Sequence, residues 1–215
     1  MHIPRDIPRP PAGPMQGQEG ALVHHLFFAL LPDADCVRQA TALGESLIAR
    51  HALQARVRGE RLHVTLMSLG WEPALSDQRL AWARAAAASV RAQPFGLRLD
   101  RARSFARAPG LRLDRARSFA RAPGLRRPCV LCGSDAVHAG FFALHAALHA
   151  ALWPQGAVPH VTPHMTLCYS RQAVPEQAVT PLCWTVRSFA LLHNRRGSPG
   201  PYELLGEWPL AAASQ

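Results

Sequence analysis

The chain has 215 residues and a mass of 23.4 kDa, enough to bury a sizeable core as one domain or as two closely packed lobes. Hydrophobic residues make up 48% of it, which argues against global disorder, and no apolar run approaches the roughly 20 residues needed to span a bilayer. Formal net charge is +10, and all 24 basic residues are Arg; Lys is absent. A planar guanidinium suits phosphate oxygens, so the balance fits a nucleic-acid or nucleotide ligand, although a GC-rich genome would favour the same Arg, Ala, Gly and Pro. Five Cys, an odd number, in a chain whose N-terminus lacks an apolar leader point to reduced thiols in the cytoplasm.

Residues 1–20 are rich in Pro, Gly and Arg and read as a disordered tail, followed by a single domain over 21–215. HHLFFALLPD marks a first buried strand, about Leu22 to Leu31, stopped by Pro32 and Asp33. His24 and His25 flank it without an assigned role. Val37, Leu43, Leu47 and Ile48 share a helical face within Asp33 to His51, capped by Asp33 or Asp35. A strand follows from about Arg61 to Leu69. An Ala-rich helix then runs from Ser76, its N-cap, to about Arg91, and Pro94 stops it. PCVLCG is expected to be a strand, so Cys129 and Cys132 should point to opposite faces rather than form a metal or redox pair. A helix over Asp135 to Trp153, capped by Ser134 or Asp135, leads through a Pro-rich loop to the strand HMTLCYS. Two more strands are expected at about Leu182 to Leu192 and Tyr202 to Trp208, joined by the exposed turn HNRRGSPGP.

Between the second helix and PCVLCG, the segment GLRLDRARSFARAP at Gly96 to Pro109 recurs letter for letter at Gly110 to Pro123. Two short copies do not make a solenoid, and their identity indicates a recent or deliberate tandem duplication. Each copy carries four Arg and one Asp, so without the second the net charge would still be +7. Leu97 and Leu99, or Leu111 and Leu113, can present the same apolar face. One copy is therefore expected in the sheet, with the other accommodated as a loop or added hairpin at small entropic cost.

The most informative feature is a motif that occurs twice, HVTL at His63 to Leu66 and HMTL at His164 to Leu167. With this composition, His-x-Thr-Leu should arise by chance only about 0.04 times. On a strand, residues i and i+2 share a face, so His63 lies beside Thr65 and His164 beside Thr166, with Val64, Leu66, Met165 and Leu167 packed behind. An imidazole that moves protons next to a hydroxyl that donates to an oxyanion suits phosphoryl chemistry. His160 also begins an HxT, but Pro163 is awkward inside a central strand, which favours His164.

With these motifs the chain resembles the 2H phosphoesterases, in particular the RNA 2′,3′-cyclic phosphodiesterases also known as 2′-5′ RNA ligases. LFFALLP resembles that family's first strand, LHVTLMSLG its first motif, PHMTL its second, and GPYELLGEWPL its C-terminal strand. The likeness covers about Leu22 to Leu210. It departs at the duplicated segment and at CYSR after the second motif, where Ala-Arg is common. The resemblance implies an α+β, bilobal fold in which two pseudo-symmetric antiparallel sheets form a central cleft with helices on the outer faces. It implies His63 as proton donor, His164 as proton acceptor, and Thr65 and Thr166 on the phosphate oxygens. No metal and no cofactor is implied. The implied partner is RNA or a nucleotide bearing a 2′,3′-cyclic phosphate, with no membrane, and with a monomeric enzyme unless the repeat promotes strand swapping. Hydrolysis to a 2′-phosphomonoester is the implied reaction, with 2′-5′ RNA ligation as an accompanying activity.

Two other function classes compete. His138, His145 and His149 have helical spacing that could bind a metal in a metallohydrolase, but HAALH lacks the Glu of HExxH and no acidic neighbour completes it. The Arg surplus would also serve a non-catalytic RNA-binding protein, with Arg126, Arg127 and Arg171 as phosphate contacts or plain surface charges.

Overall fold

The computed structural model describes residues 23–53, 55–105, 127–134 and 138–211. The strands are β1 (His24–Leu30), β2 (Ala55–Arg56), β3 (Val64–Glu72), β4 (Phe95–Ser104), β5 (Arg127–Cys132), β6 (His164–Ser170), β7 (Gln177–Val186), β8 (Ser188–Arg195) and β9 (Glu203–Pro209). The helices are α1 (Ala34–His51), α2 (Asp77–Ser89) and α3 (Ala139–Leu152). No described helix is long and apolar enough to cross a membrane. The expected N-terminal tail, the second repeat copy and Arg126 lie outside the described residues.

All strand pairs are antiparallel, and the order is β7-β4-β5-β6-β3-β1-β8-β9, with β2 attached to β6. The two expected sheets are thus two halves of one continuous sheet. They meet where β3 pairs with β6, through Val64 opposite Met165 alone. Val64 opens β3 and Met165 is the second residue of β6, so the two strands start at this seam and run away from each other. One half, β3-β1-β8-β9, draws on both ends of the chain; the other, β6-β5-β4-β7, comes from its middle.

One hydrophobic core joins both halves. Val64, Leu66, Met165 and Leu167 pack with Leu47 of α1, Ala83 and Ala87 of α2, and Phe141, Leu144 and Leu148 of α3. The helices therefore cover one face of the sheet, and the alternate strand residues are left for the other face. The caps show why the helices start where they do. The Asp33 carboxylate accepts from the Cys36 N–H at 2.8 Å, and Ser76 Oγ accepts from the Arg79 N–H at 3.2 Å. α3 begins later than expected, at Ala139. Its N-cap is His138, whose ring makes no cap bond because Nε2 donates instead to the Arg98 carbonyl at 2.9 Å.

Two further differences have clear causes. The strand expected over Leu182 to Leu192 is the end of β7 and the start of β8, bent at the exposed Arg187; WTVRSFALL has no Gly, Pro or Asn to mark the corner. β7 also reaches back through Pro181, which an edge strand tolerates because its outer N–H groups need no partner.

The first repeat copy supplies β4, with Leu97, Leu99 and Ala102 buried. The residue preceding each copy accounts for the choice. Phe95 pairs with Val186 and lies so close to α3 that a side chain on Gly140 would meet its ring at 2.4 Å. The residue preceding the second copy is Pro109, which has neither the ring nor the N–H.

Candidate active site

The two His-x-Thr motifs sit at the starts of β3 and β6: His164 opens β6, and His63 stands one residue before β3, which begins at Val64 rather than at Arg61 because Gly59–Arg61 form a 3-10 turn. Val64, Leu66, Met165 and Leu167 are almost wholly buried beneath the helices, while His63, Thr65, His164 and Thr166 alternate with them and are only partly buried. Directly opposed residues of an antiparallel pair point the same way, so Val64 and Met165 both face the core. All four motif side chains therefore lie on the open face, at the seam between the halves.

Each motif is followed by the same irregularity. Against β1 the register of β3 skips between Thr65 and Met67, and against β5 the register of β6 skips between Thr166 and Cys168. The extra residue turns two successive side chains inward, Leu66 with Met67 and Leu167 with Cys168. Ser68 and Tyr169 consequently return to the open side.

Both imidazoles are held by the same bond. His63 Nδ1–H donates to the Arg61 carbonyl and His164 Nδ1–H donates to the Thr162 carbonyl, each at 2.8 Å and each two residues back. A carbonyl only accepts, so the proton on each ring is fixed at Nδ1 and the Nε2 lone pair is free for chemistry. Burial lowers the pKa of both rings. The bonds to the carbonyls oppose the shift, while the neighbouring His164 and Arg61 lower His63 further. The two histidines are thus within electrostatic reach of each other and favour the neutral form.

Aromatic rings complete the surroundings, and the sequence did not single them out. The His63 ring meets Phe27 and the edge of Tyr202, each at 5.2 Å between centroids, and His164 meets Phe105 edge-on at 4.7 Å. Phe27, Ala29, Ala190 and Leu192 form a small second cluster with Tyr202 on this side of the sheet. His25 stacks between Phe27 and Trp71 at 4.8 and 4.7 Å, and its Nε2 bonds Ser68 Oγ at 2.9 Å. Burial chiefly, with the nearby His63 and His193, pushes its pKa down to about 4. His24 belongs to a separate chain of contacts in which its Nδ1 meets His193 Nε2 at 2.9 Å and His193 Nδ1 meets Glu203 at 2.8 Å. The i, i+2 spacing of Arg61 and His63 and of His25 and Phe27 was the available signal for these neighbours.

The helix histidines are dispersed into packing. His138 bonds the Arg98 carbonyl, and His145 and His149 are buried on α3, His145 stacked on Phe141. Among the described residues no three His, Cys, Asp or Glu side chains are grouped to hold a metal ion. Cys129 and Cys132 point to opposite faces as expected, Cys129 into the core opposite Cys168 and Cys132 opposite His164. Arg127 and Arg171 are exposed. His160 lies in the loop before β6, and Pro163 ends that loop rather than interrupting the strand.

The family model for the 2′-5′ RNA ligase superfamily matches residues 32–198, a span that holds both motifs. The chain belongs to that superfamily. Its fold is that of LigT from E. coli. The ATP complex of LigT superposes with a TM-score of 0.65 at 23% identity over 88% of this chain and 99% of LigT. The apo form gives 0.64 at 23% identity over 89% and 99%. TT0787 of Thermus thermophilus gives 0.64 at 20% identity over 88% and 100%. No curated protein sequence matches the chain. Membership in this 2′-5′ RNA ligase superfamily supports a phosphodiester-processing enzyme.

Proposed function

We propose that this member of the superfamily is a phosphodiesterase that opens RNA 2′,3′-cyclic phosphate ends to 2′-phosphomonoesters by two-histidine acid–base catalysis. The observation that carries the reading is the matched pair of imidazoles at the seam, each tied at Nδ1 to a carbonyl and each with Nε2 free. His164 Nε2 takes a proton from water as the oxygen attacks phosphorus. The P–O3′ bond breaks, and protonated His63 delivers its Nε2 proton to the departing 3′ oxygen. Thr65 and Thr166 donate their hydroxyls to the non-bridging oxygens, and no step needs a metal or a cofactor. With a 5′-hydroxyl in place of water, the same groups would open the cyclic phosphate at P–O3′ and leave a 2′-5′ phosphodiester. Crystals of LigT with 3′-AMP and with ATP support a nucleotide ligand for the fold. A monomeric, cytoplasmic enzyme is part of the same reading.

The test is incubation with an oligonucleotide ending in a 2′,3′-cyclic phosphate, with and without EDTA, and assignment of the product phosphate. A 2′-phosphomonoester formed equally in EDTA is expected, and its loss in His63→Ala and His164→Ala. Salt-sensitive RNA binding with no turnover would replace this reading with that of a binding protein.

A further inference from the structure

Arg61 ends the short 3-10 turn Gly59–Arg61 and stands two residues before His63, so its backbone and its side chain serve the same place. The carbonyl holds His63 Nδ1 at 2.8 Å. The guanidinium lies over the Tyr202 ring at 4.4 Å and donates from one terminal nitrogen to Asn194 Oδ1 at 2.8 Å. Its charge is felt at His63, at Tyr202 and at Tyr169, the last of which belongs to the opposite half of the sheet. Arg61 thus stands beside the seam that carries both imidazoles, with its charge felt on either side of it.

One observation sets it apart from the arginines around it. On the other half, Arg101 and Arg103 share Glu176 at 3.0 Å each, and on its own half Arg79 is paired with Glu72. Arg61 has no ion pair with any described carboxylate, and its Nε, like that of Arg103, is buried without a hydrogen-bond partner. Tyr202 and Asn194 orient the guanidinium but do not neutralise it. A half-buried cation with an unused N–H is unfavourable unless an anion completes it. A fixed fork beside two proton-transfer groups is suited to a phosphate oxygen.

We propose, on the phosphoesterase reading above, that Arg61 is a third phosphate-binding group, taking a non-bridging oxygen of the phosphate held between His63 and His164. Its charge then also stabilises the additional negative charge on those oxygens as water adds to phosphorus. This site takes a phosphate monoanion or dianion presented at the seam.

The experiment compares wild type with Arg61→Ala and Arg61→Lys, each checked for folding by thermal melting. The first measurement is calorimetric binding of adenosine 2′-monophosphate, which requires no turnover. Arg61→Ala is expected to bind about 10-fold or more weakly, since a charge-assisted bond is lost. The second is hydrolysis of the cyclic-phosphate oligonucleotide, where Arg61→Ala should lose about 100-fold in kcat/KM and Arg61→Lys should recover part of it. The third is the pH profile. Arg61 lowers the His63 pKa, so the limb due to His63 should move upward in the Ala variant and stay in place in the Lys variant. If Arg61→Ala does not fold, Arg61→Gln, which keeps an amide for Asn194, carries the same comparison. Binding and turnover within twofold of wild type in the charge-free variant would overturn the proposal. A wild type that binds the monophosphate but turns over nothing would defeat the hydrolase reading alone, because the binding comparison would still decide Arg61.

Discussion

The two halves of the sheet present the same four-residue motif, with the same Nδ1 tether and the same bulge after it, and then surround it differently. His63 is enclosed by Phe27, Tyr202 and the Arg61 charge; His164 meets Phe105, while Arg101 and Arg103 of its half share Glu176. A repeated motif fixes position, and its neighbours set the electrostatics. The Arg61 charge and the His164 ring favour loss of a proton from His63, whereas His164 is lowered by burial alone.

The comparison breaks first at the rings. His63→Ala and His164→Ala should each cut cyclic-phosphate turnover by about 100-fold or more. The double variant should lose little beyond either single one, because the pair acts as a unit. Additive losses would mean that the halves work independently. Next come the hydroxyls: Thr65→Val and Thr166→Val should each cost about 10-fold in kcat/KM, the worth of one hydrogen bond to a charged oxygen. Unequal losses would show which half carries more of the phosphate.

Acidity sharpens the contrast further. Both motif imidazoles have lowered pKa values, so at pH 7 both are mainly neutral, and the singly protonated form that the proposed reaction needs is populated on the acid side of 6.5. A kcat/KM profile should therefore be bell-shaped with its maximum below 6.5, falling as pH rises towards 8. His25 gives a related effect on stability. The folded chain keeps its ring neutral down to about 4, whereas the unfolded chain takes up the proton near 6.5. Stability should be full above 6.5 and fall as pH drops from 6.5 to 4, and His25→Gln should flatten part of that slope in thermal melts. The smallest change is expected from deleting 110–123. Because the first copy already forms β4, melting temperature should shift by only a few degrees and turnover by less than about twofold. A collapse of either would mean that the strand depends on the second copy.

Much of this was written in the sequence. Alternation around HVTL and HMTL was enough to place the imidazoles on one face and the aliphatic residues on the other, and Asp33 and Ser76 announced their helices. The turn at Arg187 was hidden because Trp184 through Leu192 contain no Gly, Pro or Asn to act as a breaker. β2, two residues long, is too short to leave a periodic trace. The seam itself was illegible, since a single cross-strand pair between residues about a hundred positions apart leaves no local pattern. Arg61, Tyr169 and Tyr202 were overlooked for the same reason: they gain meaning only when β3, β6 and the approach to β9 meet.

That seam has a consequence for tolerance to change. The gap between the two motif histidines is gauged by one rung of main-chain pairing, Val64 to Met165. Replacing either residue by another apolar one alters how well the layer beneath is filled but leaves the gauge intact. The core can drift over generations while the reacting distance stays put.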